Sequence, residues 1–318
     1  PMTSPCRQTA RPARARAGSN SAVPRARYHR LDVFTDRPFA GNPLAVFVDP
    51  PDLTTEQMQA IAGELNLSET VFVRPPGDTS GWPTRIFTPT AELPFAGHPT
   101  IGTAVLLAEL GLADGALVLH EPVGAVDVTI ERRGAATAAT LRTPVPPSFT
   151  EAPDRDLLAR ALSVEPSDLH SHLAPGIWSC GVPFCVVPLR DAAAVSRTNL
   201  DTAVWSSHLE HTDAACVFPI APLDTDLHRW RARMYAPSLG ISEDPATGAA
   251  AAACAGLLAG SRQLRSGPLR WVIEQGVEMG RPSELRVALD HDGGEASAVL
   301  VGGDAVVIGE GEIELPPP

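Results

Sequence analysis

The sequence predicts an α+β protein built from two similar halves, and three observations carry that prediction. From Tyr28 onward, short strand-like and helix-like runs alternate. Four motifs recur in the same order at offsets of 140 to 148 residues. A proline-rich joint, Thr143-Pro-Val-Pro-Pro147, lies between the first set and the second.

The elements follow in order. Arg30–Thr35 and Leu44–Asp49 read as strands, and Thr54–Leu65 reads as a helix started by Thr54 or Thr55. Leu67–Pro75 and Thr84–Pro89 read as strands. His98–Gly111 reads as an apolar helix with Pro99 in its first turn and Gly111 past its end. Leu117–Arg142 alternates in the manner of antiparallel strands.

In the second half, Gly41-Asn-Pro-Leu-Ala-Val46 is echoed by Gly181-Val-Pro-Phe-Cys-Val186, and Val71-Phe72 by Val217-Phe218. Arg85-Ile-Phe-Thr-Pro89 is echoed by Arg233-Met-Tyr-Ala-Pro237, and Gly97-His-Pro-Thr-Ile-Gly102 by Glu243-Asp-Pro-Ala-Thr-Gly248. The expected organisation is a disordered Arg/Pro-rich extension over 1–27, a first half over 28–145 and a second over 146–318, the last strand returning to the first half.

Two such halves pack about a pseudo-twofold axis, and the groove between them is a common place for a small ligand. Each half carries one tight turn that opens an apolar helix, ending at His98-Pro99 and at Asp244-Pro245. If the halves face each other, both helix N-termini bring free N–H groups and partial positive charge into one groove. Such a site suits an anion, and a small carboxylate is the natural one.

Composition removes several function classes. The formal net charge is -12, and residues 1 to 30 hold seven arginines and no acid, so the remainder stands near -19. An acidic body disfavours nucleic acid as a partner. The basic start reads as a transit peptide, a basic arm or a disordered extension; its Pro, Ala and Ser content favours the last. No apolar run reaches the roughly 20 residues of a membrane span. Five scattered cysteines (Cys6, Cys180, Cys185, Cys216, Cys254) without a CxxC pair fit a reducing cytoplasm.

The chain contains no lysine, so a Schiff-base lysine, a pyridoxal-phosphate anchor and a Walker A lysine are all excluded. His208-Leu-Glu-His211 lacks the spacing that sets two imidazoles on one helix face, and His170-Ser-His172 stands alone, so no metal site is expected. No Gly-x-Ser-x-Gly elbow and no Gly-x-Gly-x-x-Gly run after a strand are present, which disfavours an α/β-hydrolase and a nucleotide cofactor. Cys254 lies inside an alanine-rich helix, away from its opening turn, so a two-thiol racemase mechanism is not available.

Five motifs in order carry a resemblance that covers Tyr28 to the C-terminus. They are Phe39-Ala-Gly-Asn-Pro43, Leu67-Ser-Glu-Thr70, Phe95-Ala-Gly-His-Pro-Thr100, Glu243-Asp-Pro-Ala-Thr-Gly248, and Glu274-Gln-Gly276 with Met279-Gly-Arg-Pro-Ser283. They resemble the signatures of PhzF-like proteins of phenazine biosynthesis. That resemblance implies a diaminopimelate-epimerase-like fold, two domains each formed by a β-barrel-like sheet round a central helix, with the site between them. It implies an isomerase that needs no metal or organic cofactor; the best-known member acts on trans-2,3-dihydro-3-hydroxyanthranilate. It also implies a homodimer.

Residue by residue, the resemblance makes Glu69 the acid/base, places His98 and Asp244 against the substrate, and gives the amides of Gly97 and Gly248 to its carboxylate. Where family members commonly carry serine after the Asp-Pro-Ala-Thr-Gly run, this chain has Ala249. Asn42 reads as a turn residue that can also touch ligand; Gln275 and Arg281 read as structural. The repeat matches Glu69 to Ala215, so a carboxylate stands on one side only, as single-base proton transfer requires. For that role burial must raise Glu69 above its ordinary carboxyl range, and a helix N-terminus should keep His98 neutral. A helix start also leaves a capping role open for His98 and Asp244. Two further functions remain open at this level: a small-carboxylate-binding protein without turnover, and an epimerase or racemase with His98 or Asp244 as second base.

Overall fold

The computed structural model describes residues 24–317 apart from 79, 135, 144, 261–268 and 293–294. Most of the expected N-terminal extension, residues 1–23, lies outside them. The first strand begins at Arg25, ahead of the expected start of the fold at Tyr28.

The first half runs β1 (Arg25–Val33), β2 (Asn42–Val48), α1 (Thr55–Leu65), β3 (Glu69–Val73), β4 (Trp82–Phe87), β5 (Glu92–Leu93), α2 (Gly97–Glu109), β6 (Ala116–Glu121), β7 (Gly124–Arg133) and β8 (Ala136–Arg142). The second runs β9 (Ser148–Glu151), α3 (Arg155–Ala161), β10 (Gly176–Ser179), β11 (Pro183–Pro188), α4 (Ala192–Arg197), α5 (Thr202–His208), β12 (Val217–Pro222), β13 (Arg229–Ala232), α6 (Gly248–Gly260), β14 (Leu269–Gln275), β15 (Ser283–Asp292) and β16 (Glu295–Glu314).

The duplication is visible in the pairing senses. From β1 through β2, β3, β4, β6 and β7 to β8, the neighbours alternate antiparallel, parallel, antiparallel, parallel, then antiparallel twice. From β10 through β11, β12, β13, β14 and β15 to β16 the same six senses recur. β16 belongs to both halves: it leaves β15, runs along β8 and then along β1 from Ala305 to Glu314. That last pairing closes β1, β2, β3, β4, β6, β7, β8 and β16 into a ring.

Each curved sheet wraps one helix. α2 packs on β1, β2, β3, β7, β8 and β16, and α6 on β9, β10, β11, β15 and β16. A helix surrounded by sheet must be apolar on every side. Accordingly every residue of α2 from Gly97 to Ala108 is buried, and α6 is a run of alanines broken by Cys254, Gly256 and two leucines. Around α1, Thr54 and Gln57 form a reciprocal capping box, and Asn66 ends the helix in the left-handed conformation at φ 48°. This sharp stop turns the chain directly into β3, whose first residue is Glu69. No helix among the described residues is long and apolar enough to cross a membrane.

Candidate active site

The two central helices meet start to start. A Cβ built on Gly97 would lie 3.2 Å from the Gly248 Cα, and one built on Gly248 would lie 3.4 Å from the Gly97 Cα. A side chain on either residue would crowd this approach, which favours glycine at both starts. The two helix starts are therefore close enough to serve one small anion. Ala96, at the N-cap of α2, supplies no side-chain hydrogen bond, so the first amides of α2 are left without a cap. Beside the glycines, Phe95, Thr143, Cys180, Val182, Ala249 and Ala252 enclose a cavity of about 10 Å³. That is room for about one water molecule.

Three ionisable groups converge at this junction. Glu69 and His98 are buried, with Glu69 Oε2 3.3 Å from His98 Nε2, and neither atom has a hydrogen-bond partner elsewhere among the described residues. Asp244 is buried too, and its carboxylate accepts from Asn42 Nδ2 at 2.9 Å, from Thr247 Oγ1 at 2.5 Å and from the Ser68 side chain. Asn42, fully buried at the start of β2, also donates to the Ala246 carbonyl at 2.9 Å, which ties the first half to the second across the groove.

Burial sets the protonation states. It drives Glu69 well above the usual carboxylate range, and the charge of Asp244 pushes the same way. It raises Asp244 to about 6 against the lowering effect of its hydrogen-bond donors. It lowers His98 to about 3, although a hydrogen bond to the Pro43 carbonyl acts in the opposite direction. Because Pro43 offers only an acceptor and Nε2 has no partner, Nδ1 carries the proton and Nε2 presents its lone pair to Glu69. A neutral imidazole acceptor facing a carboxyl that holds its proton is a matched pair.

The structure thus brings Glu69, His98, Asp244, Asn42, Gly97, Gly248 and Ala249 to one junction. Two capping expectations need correction. His98 is the second residue of α2 and not its cap, and Asp244 lies four residues ahead of α6 with its carboxylate taken by side chains. The repeat match of Glu69 also shifts by one. Val46 pairs with Val71, while its echo Val186 pairs with Phe218; two residues earlier, Cys216 and not Ala215 stands in the place of Glu69. Burial raises the Cys216 thiol to about 11, so it is no base near neutral pH. Ser68 and Thr247 were passed over as Asp244 partners, although both stand inside quoted motifs. Among the described residues no cluster of three or more His, Cys, Asp or Glu side chains could hold a metal ion.

The chain matches the phenazine biosynthesis-like protein family (PhzC–PhzF) over residues 31–311. It is 40% identical over 296 residues to an uncharacterized isomerase of Mesorhizobium japonicum, covering 90% of this chain and 98% of that protein. It is 37% identical over 293 residues to the trans-2,3-dihydro-3-hydroxyanthranilate isomerase of Pseudomonas aeruginosa, covering 91% and 99%. The crystal structure of a PhzF-family phenazine biosynthesis protein from Bacillus anthracis superposes with a TM-score of 0.84 at 27% identity, covering 91% and 99%. The pseudo-symmetric fold expected from the motifs is the one observed, and the chain belongs to the phenazine biosynthesis-like (PhzC–PhzF) family and is an isomerase.

Proposed function

We propose that the protein moves a proton between atoms of a small carboxylic acid, without a cofactor, using Glu69 as its single acid/base. The observation that carries this reading is the setting of Glu69: a buried carboxyl beside the Asp244 charge whose Oε2 faces His98 Nε2 at 3.3 Å, an atom that accepts a hydrogen bond but resists taking the proton. Once Glu69 has given its resting proton to solvent, a proton that it lifts from carbon sits on Glu69, held toward His98 and exchanging with solvent, until Glu69 returns a proton to a different atom of the same substrate. Burial raises the basicity of the carboxylate toward that of a base useful near neutral pH. The substrate carboxylate and the charge that develops beside it are met by the uncapped amides at the start of α2, where Gly248 of α6 adjoins Gly97. Asp244, gripped by Asn42 and Thr247, forms the opposite wall and contacts the substrate. Since Glu69, His98 and Asp244 are all buried, the halves must part to admit substrate and then close again.

The test is solvent isotope exchange. With trans-2,3-dihydro-3-hydroxyanthranilate, the compound named for the Pseudomonas aeruginosa relative, and with simpler cyclic and amino-acid-derived carboxylates, incubation in D2O should yield product labelled at a single carbon. Absence of label and turnover with all of them would leave a binding protein. Inversion at a labelled carbon would instead make Asp244 a second base.

Ala249 sets an expectation about which substrate is preferred. Its neighbours in the cavity are apolar apart from Thr143, whose hydroxyl donates to the Val145 carbonyl and accepts from the Val299 N–H, so no free hydroxyl meets the substrate where family members commonly offer serine. Activity on trans-2,3-dihydro-3-hydroxyanthranilate should be weak, and Ala249→Ser should raise kcat/KM by roughly 2- to 13-fold, the worth of one neutral hydrogen bond. Turnover by the unmodified protein equal to that of the Pseudomonas aeruginosa enzyme would remove Ala249 from the account of specificity.

A further inference from the structure

The loop between β14 and β15 carries a motif that the proposed reaction leaves without a role, Gln275-Gly276 with Met279-Gly-Arg-Pro-Ser283. Two of its polar side chains, Gln275 and Arg281, reach Asp244 and the segment that leads into Asn42, the two ends of the bond that spans the groove. Gln275 is fully buried; its Nε2 donates to the Asp244 carbonyl at 2.7 Å and to Thr247 Oγ1 at 3.0 Å, and its Oε1 accepts from the Thr247 N–H at 3.1 Å. Arg281 crosses to the first half. Its Nε donates to the Gly41 carbonyl at 2.8 Å, and its Nη2 donates to the Ala40 carbonyl at 2.7 Å and to Asp32 Oδ1 at 2.6 Å. The Gly41 N–H returns a bond to the Pro282 carbonyl at 3.2 Å. Asp32, almost wholly buried, uses its other oxygen to hold the Phe39 N–H at 2.7 Å.

These bonds close a triangle. One corner is the loop, one is the Asp244–Thr247 turn held by Gln275, and one is the Ala40–Gly41 segment held by Arg281, which ends at Asn42. The third side is the bond from Asn42 Nδ2 to Asp244 Oδ1. The loop also resists relaxation: Gly276 has φ 73°, and a Cβ there would lie 2.5 Å from both the Arg281 and Pro245 carbonyl oxygens. A guanidinium that offers three bonds in a fixed plane is more than a charge for Asp32; it fixes a backbone segment of one half against a loop of the other.

We propose that Arg281 and Gln275 are positioning residues that fix Asn42 and Asp244, and through them the separation of Asp244 from Glu69 in the closed site. Neither touches the substrate. The activity readout of this inference rests on the proposed proton transfer; a second readout does not.

Arg281→Lys keeps a cation for Asp32 but loses the fork, and Gln275→Met keeps volume without donors, so that one variant serves if the other fails to fold. Arg286→Lys is the control, since Arg286 makes a comparable two-bond pair with Asp304 at 2.8 and 2.9 Å away from the groove. Both positioning variants should lower kcat by about 10- to 100-fold, the scale of a misplaced catalytic geometry, with KM little changed, while Arg286→Lys leaves kcat unchanged. Carbon-13 carboxyl NMR of the folded proteins gives the independent readout. Glu69 is faced by His98 from α2 and by Asp244 from the turn before α6, with Glu243 next to Asp244 and paired to Arg233. When Asp244 is free to move away, its repulsion weakens, so the Glu69 titration should fall to lower pH in both variants and stay in place in Arg286→Lys. That shift, seen in a protein that exchanges no proton with any carboxylate tried, supports positioning and rejects the proposed reaction. Active variants with kcat within about twofold and an unmoved Glu69 titration overturn the positioning role.

Discussion

Glu69→Gln should fold, bind small carboxylates as before and lose proton exchange. Glutamine matches the protonated form of the side chain: its amide can donate toward His98 Nε2, the bond that the 3.3 Å approach offers to a carboxyl holding its proton. It leaves no ionisable group in a place where burial and the Asp244 charge oppose ionisation, so stability near neutral pH should not fall. General acid–base groups contribute about 100- to 10,000-fold, and a sole base acting on carbon belongs at the top of that range. Rates of deuterium uptake from D2O in the unmodified and Gln proteins measure the loss directly, and equal rates would remove Glu69 from the chemistry. His98 is not a substitute base, since burial lowers it to about 3, and neither is Cys216, raised to about 11 on the pseudo-symmetric side.

The sequence carried the repeat because the repeat lives in short motifs at turns. Gly97 and Gly248 are recognisable since a side chain on either would crowd two helices that start in contact. α2 and α6 were legible for a related reason: helices enclosed by sheet are apolar all round, and such a composition is rare elsewhere. β16 was harder to read. A strand of 20 residues that serves three neighbours in turn has no single buried face, so it shows no steady alternation along its length. The short helix α3 has no counterpart in the first half, and where α1 alone occupies the connection between β2 and β3, α4 and α5 share the matching connection between β11 and β12.

Site residues divide in a similar way. Glu69, His98 and Asp244 sit inside local motifs, and local motifs can be read. Arg281 and Gln275 lie in a motif too, but they act on groups more than 200 and about 30 positions away, at Gly41 and Asp244, and the motif does not name those partners. The one-residue shift from Ala215 to Cys216 has the same origin, because the offset between the halves changes from element to element and only strand pairing fixes it.

Glu121 should contribute a marked loss of stability with rising pH, and Glu121→Gln should remove that contribution. The residue ends β6, is buried, and approaches Thr100 Oγ1 of α2 at 2.6 Å with its Oε1, while its Oε2 has no partner among the described residues. Thr100 also lies 2.8 Å from the Ala96 carbonyl. A hydroxyl has one proton, so both bonds form together only if Glu121 donates to Thr100 and Thr100 donates to Ala96. Burial agrees, raising Glu121 from an ordinary 4.5 to about 8. For an acid whose folded value is raised, the stabilisation of its protonated form is fully present below 4.5 and is lost as pH climbs to about 8. At about 1.4 kcal/mol per pH unit the loss is on the order of 5 kcal/mol. Glutamine has the shape of the protonated carboxyl and no titration. Glu69, Asp244 and His98 titrate in both proteins and cancel in the comparison. The urea-unfolding free energy of Glu121→Gln relative to the unmodified protein should therefore rise steadily from pH 5 to pH 8.5, with any constant offset from the second amide hydrogen independent of pH. A difference that stays flat over that interval would mean that Glu121 ionises in the folded protein as it does in the unfolded chain, and that the Thr100 bond is an ordinary hydroxyl donation to a carboxylate.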